Sequence, residues 1–135
     1  VITSPPYYGM STYTPDQWLR NWFLGGEPSV QYTRSGQLSH QSPDSFVQDL
    51  ARVWRNVLRV TANDANLVVR FGSIGSRKAS AQDLIFESLN TAGWRVDQLR
   101  NAGAADRGKR QAVYYGGTCN EAREEIDVWA RPLAR

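Results

Sequence analysis

Five consecutive residues, Thr3-Ser4-Pro5-Pro6-Tyr7, carry the chemistry this chain can do. The β-branched pair Val1-Ile2 ahead of them reads as the end of a buried strand. Two prolines then stop any strand or helix. Each lacks a backbone N–H and fixes φ near −65°. Pro5 also presses Ser4 into an extended conformation. The expected product is a stiff tip at the carboxyl end of a strand. It offers a hydroxyl, free carbonyls and the ring of Tyr7. In open α/β sheets this is the edge where ligands bind.

These residues resemble the catalytic motif of the amino-group DNA methyltransferases, which use S-adenosylmethionine to methylate an exocyclic base nitrogen. The form with Ser first resembles the N4-cytosine branch; adenine enzymes more often carry Asp or Asn there. The resemblance assigns Ser4, Pro5, Pro6 and Tyr7 to catalysis. An exocyclic amino group is a poor nucleophile because its lone pair is delocalised into the ring. Two acceptors fixed at its hydrogens, Ser4 Oγ and the Pro5 carbonyl, draw it toward a tetrahedral shape. Preorganised polar groups of this kind carry much of catalysis. A base in a duplex must be flipped out to reach them, and Tyr7 would then supply a stacking face. The competing reading is a proline-rich turn or a polyproline ligand segment.

The elements that must position this tip read as follows. Thr14-Pro15 is a helix entry, and a short helix runs from Pro15 to Leu24, stopped by Gly25-Gly26. Trp18 and Trp22 share one face; Leu19 and Phe23 share another. Trp22 and Phe23 read as a local core. Tyr8 and Tyr13 lie nearest the motif and are candidates for lining a base channel. Residues 27–41 form a polar loop with the only histidine, His40, which reads as a surface residue near a helix entry. Ser42-Pro43 opens the clearest amphipathic helix, Pro43 to Val60, with Phe46, Leu50, Val53 and Val57 at helical spacing and Val47, Trp54 and Leu58 beside them. Asn66 to Phe71 reads as a buried strand. Ser80 with Asp83 opens another helix, closed by Gly93. Trp94 to Leu99 alternates imperfectly, which suits a sheet edge. Glu125 to Ala130 is the last strand. The long excursion between these two strands fits an antiparallel pair.

The expected architecture is α/β, with helices packed on the sheet. It is similar to the second half of a methyltransferase-type, Rossmann-like sheet: catalytic strand, helix, strand, helix, then an antiparallel terminal pair. Arg107, Lys109 and Arg110 fall in a loop where the family packs a segment against the flipped base, and they are expected to contact DNA phosphates. One departure concerns the cofactor. The family binds S-adenosylmethionine through a Phe-x-Gly-x-Gly turn, and Phe71-Gly72-Ser73-Ile74-Gly75 has Ser73 where the first glycine belongs. The cofactor site is therefore expected largely outside this chain, on strands upstream of Val1. On that reading residues 1–135 are one partial domain, inactive in isolation. The Val1–Thr3 edge would then pair with the missing half or with a second copy.

Length and composition agree with a single domain of ordinary globular type. There are 135 residues, 41 % hydrophobic and 21 % charged, with a formal net charge of +3. The mild basicity permits nucleic-acid binding without demanding it. No apolar run approaches a membrane span. Cys119 is the only cysteine, so no internal disulfide forms, and no Cys/His cluster points to a metal. A reducing, cytoplasmic setting fits. The resemblance implies DNA methylation of the restriction-modification type. The alternatives are methylation of RNA or of a protein amide, or a nucleic-acid-binding module without catalysis.

Overall fold

The computed structural model describes residues 1–10, 17–30, 37–74, 78–103 and 122–133. Four strands and three helices are described. In chain order they are β1 (Ile2–Thr3), α1 (Trp18–Phe23), α2 (Pro43–Val60), β2 (Leu67–Ile74), α3 (Ala81–Thr91), β3 (Trp94–Gly103) and β4 (Ala122–Pro132). The strands form one open sheet in the order β1-β2-β4-β3. β1 runs parallel to β2. β4 lies antiparallel to both β2 and β3. The last strand is thus inserted between the two that precede it. β1 and β3 form the edges, as the short first strand and the imperfect alternation of Trp94–Leu99 suggest.

Local sequence explains where the helices begin. The Ser42 hydroxyl accepts from the Ser45 N–H at 3.1 Å, and the Ser45 hydroxyl accepts from the Ser42 N–H at 3.2 Å. This reciprocal box satisfies two donors that the first turn leaves open, and Pro43 has no N–H to satisfy. At α3 the Ser80 hydroxyl accepts from the Asp83 N–H at 3.2 Å.

Periodicity explains what the helices bury. Residues three and four apart share a helix face. In α2 that face is Phe46, Val47, Leu50, Ala51 and Trp54. The stripe is centred nearer Trp54 than the spacing Phe46–Leu50–Val53–Val57 suggests, and Val53 is 41 % exposed. The large indole takes the inward position and rotates the helix away from Val53. In α3 the buried face is Leu84, Ile85, Ser88 and Leu89. Both faces meet Leu67, Val69 and Phe71 of β2 and Val128 and Ala130 of β4 in one core.

Two indoles bring polar atoms into that core, and each is satisfied. Trp54 Nε1 donates to Ser88 Oγ at 3.1 Å, and Ser88 Oγ donates to the Ile85 carbonyl at 2.9 Å. Trp94 Nε1 donates to the Trp54 carbonyl at 3.1 Å. The chain α3–α2–β3 is thereby pinned by polar contacts as well as by packing.

Four expectations need correction. Val1 and Ile2 do not belong to a buried strand: they are 53 % and 86 % exposed, because β1 is a two-residue strand at the edge of the sheet. β2 extends to Ile74, beyond Phe71, because β4 continues pairing past that point, through Gly72↔Glu125 and Ile74↔Ala122. Its neighbours Val68 and Arg70 are half-buried and exposed, so helices cover one face of the strand among the described residues, and alternation replaces a wholly buried run. Finally, Trp22 and Phe23 are not a local core. They are 45 % and 76 % exposed, and α1 buries none of its residues. Trp18 and Trp22 do share a face, stacked at 6.3 Å. The start of the helix expected from Pro15 lies outside the described residues.

Ser88→Ala should strand the Trp54 indole N–H without a partner inside the core. The expected loss is about 1–3 kcal/mol, less a few tenths regained from the helix propensity of alanine. Urea unfolding measures it. An Ala variant as stable as wild type would mean that the Trp54–Ser88 bond contributes nothing.

Candidate functional site

The tip continues from the carboxyl end of β1, which stops opposite Val69, beside the part of β2 that runs on to Ile74. β1 pairs through Ile2↔Val68 and Thr3↔Val69. Ser4 follows at once and is exposed; Pro5 and Pro6 are half-buried; Tyr7 and Tyr8 are buried, at 8 % and 7 % exposure. The Met10 N–H then donates to the Tyr7 carbonyl at 3.0 Å. Gly9 sits in the third position of this turn with φ of +93°. That conformation suits glycine and strains a residue with a Cβ. The prolines stiffen the start of the segment and the turn closes its end.

Consecutive tyrosines leave the tip on opposite faces of the sheet. Residues two apart on a strand share a face. Leu67, Val69 and Phe71 face the helices; Arg70 and Gly72 face away. Tyr8 joins the helix side, its ring 5.3 Å from that of Phe46. His40 packs there as well, 6.2 Å from the Tyr8 ring and 5.4 Å from the Phe46 ring. Its Nδ1 accepts the Gly9 N–H at 3.0 Å. The loop that carries it is tied to α2, since the Ser39 N–H donates to Asp49 Oδ2 at 2.8 Å. His40 is thus a half-buried pin for the tip, where sequence alone read a surface residue.

Tyr7 takes the other face. Its ring lies on Gly72 so closely that a Cβ there would stand 2.8 Å from Cε2 and 2.9 Å from Cζ. Only glycine leaves room for that approach. The ring also meets Phe71 edge-on, with centroids 5.5 Å apart. The Tyr7 hydroxyl donates a short hydrogen bond to Glu125 Oε1. Glu125 is itself buried, at 8 % exposure. It reaches this place because Gly72 and Glu125 are register partners across β2 and β4.

The electrostatics follow from this packing. Burial pushes the Tyr7 phenol well above its ordinary range; the hydrogen bond to Glu125 and the negative charge of that carboxylate push in the same direction. The Ser4 hydroxyl and the Arg70 charge work against them. Arg70 belongs to the neighbouring cross-strand pair, a fork of Nε and Nη2 on the two Asp127 oxygens at 2.8 and 2.7 Å. That bond lowers the Asp127 carboxyl below its usual range. On the next strand Arg100 lies over the Trp129 ring, 5.2 Å from its centroid.

The structure therefore brings together Ser4, Pro5, Pro6 and Tyr7, with Tyr8 directly behind them. Little of either tyrosine ring is open to a stacked ligand in this arrangement. Tyr13, Arg107, Lys109 and Arg110 lie outside the described residues. Sequence reasoning missed Glu125, Gly72 as a seat for Tyr7, and His40 as a pin. The register that places Glu125 depends on β4 entering between β2 and β3, which no local pattern announces. No group of His, Cys, Asp and Glu suited to a metal occurs among the described residues, and no helix among them is long and apolar enough to cross a membrane. No family model matches the chain, and no curated protein matches it.

Two predictions follow from the Tyr7 seat. Gly72→Ala should destabilise the fold by about 1–3 kcal/mol, because the new methyl meets the ring and the Glu124 carbonyl. In a Tyr7→Ala background that cost should shrink, since two of the three close contacts belong to the ring. Equal costs in both backgrounds would remove the proposed contact.

The second concerns alkaline pH. With its folded pKa raised, the Tyr7 contribution is complete below the unfolded value of about 10 and declines above it as the unfolded chain ionises first. Tyr7→Phe should start about 1–3 kcal/mol less stable at neutral pH, with Glu125 left unpaired. It should then lose less stability than wild type between about pH 10 and 12. Parallel stability curves for the two proteins would contradict this.

Proposed function

We propose that this chain is the catalytic part of a DNA methyltransferase that uses S-adenosylmethionine to methylate the exocyclic amino group of a flipped base, with N4 of cytosine favoured over N6 of adenine. One observation carries the reading. The Thr3–Tyr7 motif stands at the carboxyl end of a parallel strand, with Ser4 exposed and the residues behind it buried. A hydroxyl and a carbonyl held on a stiff tip can accept the two hydrogens of an amino group. Neither has to move or reorganise during the reaction, which is the condition under which such groups are most effective.

The arrangement of elements supports the same reading. Apart from the extra short helix α1 between β1 and α2, the order of motif strand, helix, strand, helix and antiparallel terminal pair is the one the resemblance implies, and the sheet is of the α/β type. The finer assignment, the second half of a methyltransferase-type sheet, belongs to this proposal. On this reading Ser4, which is exposed, and the Pro5 carbonyl are the acceptors offered to the target amino group. Stacking on Tyr7 requires a ring face that is buried here.

On this reading the methyl donor is not assigned to the Phe71–Ile74 stretch. That stretch is strand, paired with β4, and the side of Gly72 that would open toward a ligand is filled by the Tyr7 ring. The methyl donor must then be held by other residues.

Ser4→Ala tests the proposal in the protein expressed from its complete reading frame, with labelled methyl donor and duplex DNA. The variant should keep its melting temperature and lose about a hundredfold in turnover, the worth of one transition-state hydrogen bond. Undiminished turnover would remove Ser4 from the chemistry. Label incorporated into RNA or protein but not DNA would reassign the substrate. No incorporation by wild type into any of the three would reject methyl transfer.

A further inference from the structure

The buried carboxylate on β4 has no part in the roles assigned above. Glu125 is 118 residues from Tyr7 in sequence, yet its Oε1 accepts the Tyr7 hydroxyl inside the protein. Burying a carboxylate is costly unless it is hydrogen-bonded. At this position the carboxylate answers the buried Tyr7 hydroxyl, which an apolar residue would leave without this acceptor. The ring it holds has its other sides determined by Gly72 and Phe71. Tyr7 therefore has a seat with three walls. Only two residues of fixed φ separate it from Ser4.

From this geometry we infer that Glu125 is a positioning residue for methyl transfer: by holding the Tyr7 hydroxyl it sets where the Ser4–Pro5 acceptors stand. The inference rests on the function proposed above and deepens it. Ser4 is exposed, and β1 at its back is a two-residue edge strand. β1 alone gives the tip little sideways restraint; the Ser4 hydroxyl finds it at the seated Tyr7 phenol, whose ionisation it eases. The prolines transmit the position of Tyr7 backward because φ is fixed at both, which leaves the short segment few ways to redirect Ser4. Glu125 would act with no contact to base or donor, and its effect should fall on turnover rather than on binding.

The experiment is a set of four proteins compared with wild type in the complete reading frame: Glu125→Ala, Glu125→Gln, Tyr7→Phe and the Glu125→Ala/Tyr7→Phe double variant. Each is assayed for kcat and KM with duplex DNA well below its melting temperature, with folding checked by circular dichroism. Glu125→Ala and Tyr7→Phe should each lower kcat by about 10- to 100-fold, the effect of a small misplacement of reacting groups. KM for DNA should stay within about threefold of wild type. The double variant should be no worse than either single one, because both remove the same bond. Glu125→Gln keeps an acceptor oxygen and should recover most of the turnover. A purely structural carboxylate would lower the melting temperature and leave kcat of the folded protein unchanged; that result overturns the inference. So would multiplying effects in the double variant, or a lower KM in Glu125→Ala, which would mean that Glu125 restrains a ring that must swing out. If wild type transfers no methyl group to DNA, RNA or protein, the functional reading fails first and this inference with it. An active wild type beside a fully active Glu125→Ala rejects this inference alone.

Discussion

A single buried hydrogen bond joins the first strand of this sheet to the last. The Tyr7 phenol and the Glu125 carboxylate are both polar, and each is tolerated inside only because it has the other. Their meeting imposes conditions on the rest of the chain. Residue 72 must be glycine, since the ring passes over its backbone. β4 must lie next to β2 and in that register, or Glu125 would face the helices. The bond is also non-local, so it closes only when the whole sheet has assembled. The stiffness of the tip is local, from two prolines, whereas its seat is non-local and depends on the assembled sheet.

Much of the frame was legible from local pattern. Ser42-Pro43 and Ser80-Asp83 announced helix starts because capping is a matter of three or four neighbouring residues. Trp94–Leu99 announced an edge because one side of an edge strand has no partner to bury it. What stayed illegible was non-local. The insertion of β4 between β2 and β3 leaves no trace in any window of sequence, and with it went the length of β2, the seat of Tyr7 and the role of Glu125. His40 was misread for a similar reason: its partner, the Gly9 N–H, lies 31 residues away. Trp22 and Phe23 failed differently. Aromatic density suggested a core, but the two rings project from a six-residue helix with no buried residue, and such a helix is too short to have a hidden face.

The two faces of the sheet differ in kind. Toward α2 and α3 the contacts are apolar, closed by indole hydrogen bonds. On the other face β2 and β4 present Arg70 and Asp127 as a forked pair, with Trp129 under Arg100. Tyr7 is placed on that polar face, beside a carboxylate and within the field of a guanidinium, while Tyr8 is placed on the apolar one. The motif thus spans an electrostatic boundary. Both tyrosine rings belong to the buried cluster, Tyr7 through its edge-on contact with Phe71, and the Tyr7 hydroxyl connects the motif to the charged side.

That division bears on the competing view of the motif as a proline-rich ligand segment. A polyproline segment works by presenting its prolines and neighbouring aromatic ring to a partner, and its backbone is fully solvated. Here both tyrosines are withdrawn, at 8 % and 7 % exposure, and the prolines are half-covered. The residue left outside is Ser4, the smallest side chain of the five and a polar one. Burying the rings while exposing the hydroxyl makes little sense for recognition by a groove. It suits a tip whose task is to hold one or two acceptors still. A ligand segment also needs freedom to adapt to its partner, whereas this one is pinned by Glu125 on one face and by His40 on the other. This exposure pattern is what the proposed function asks of Ser4, and it is not the one that docking at Pro5-Pro6 asks for.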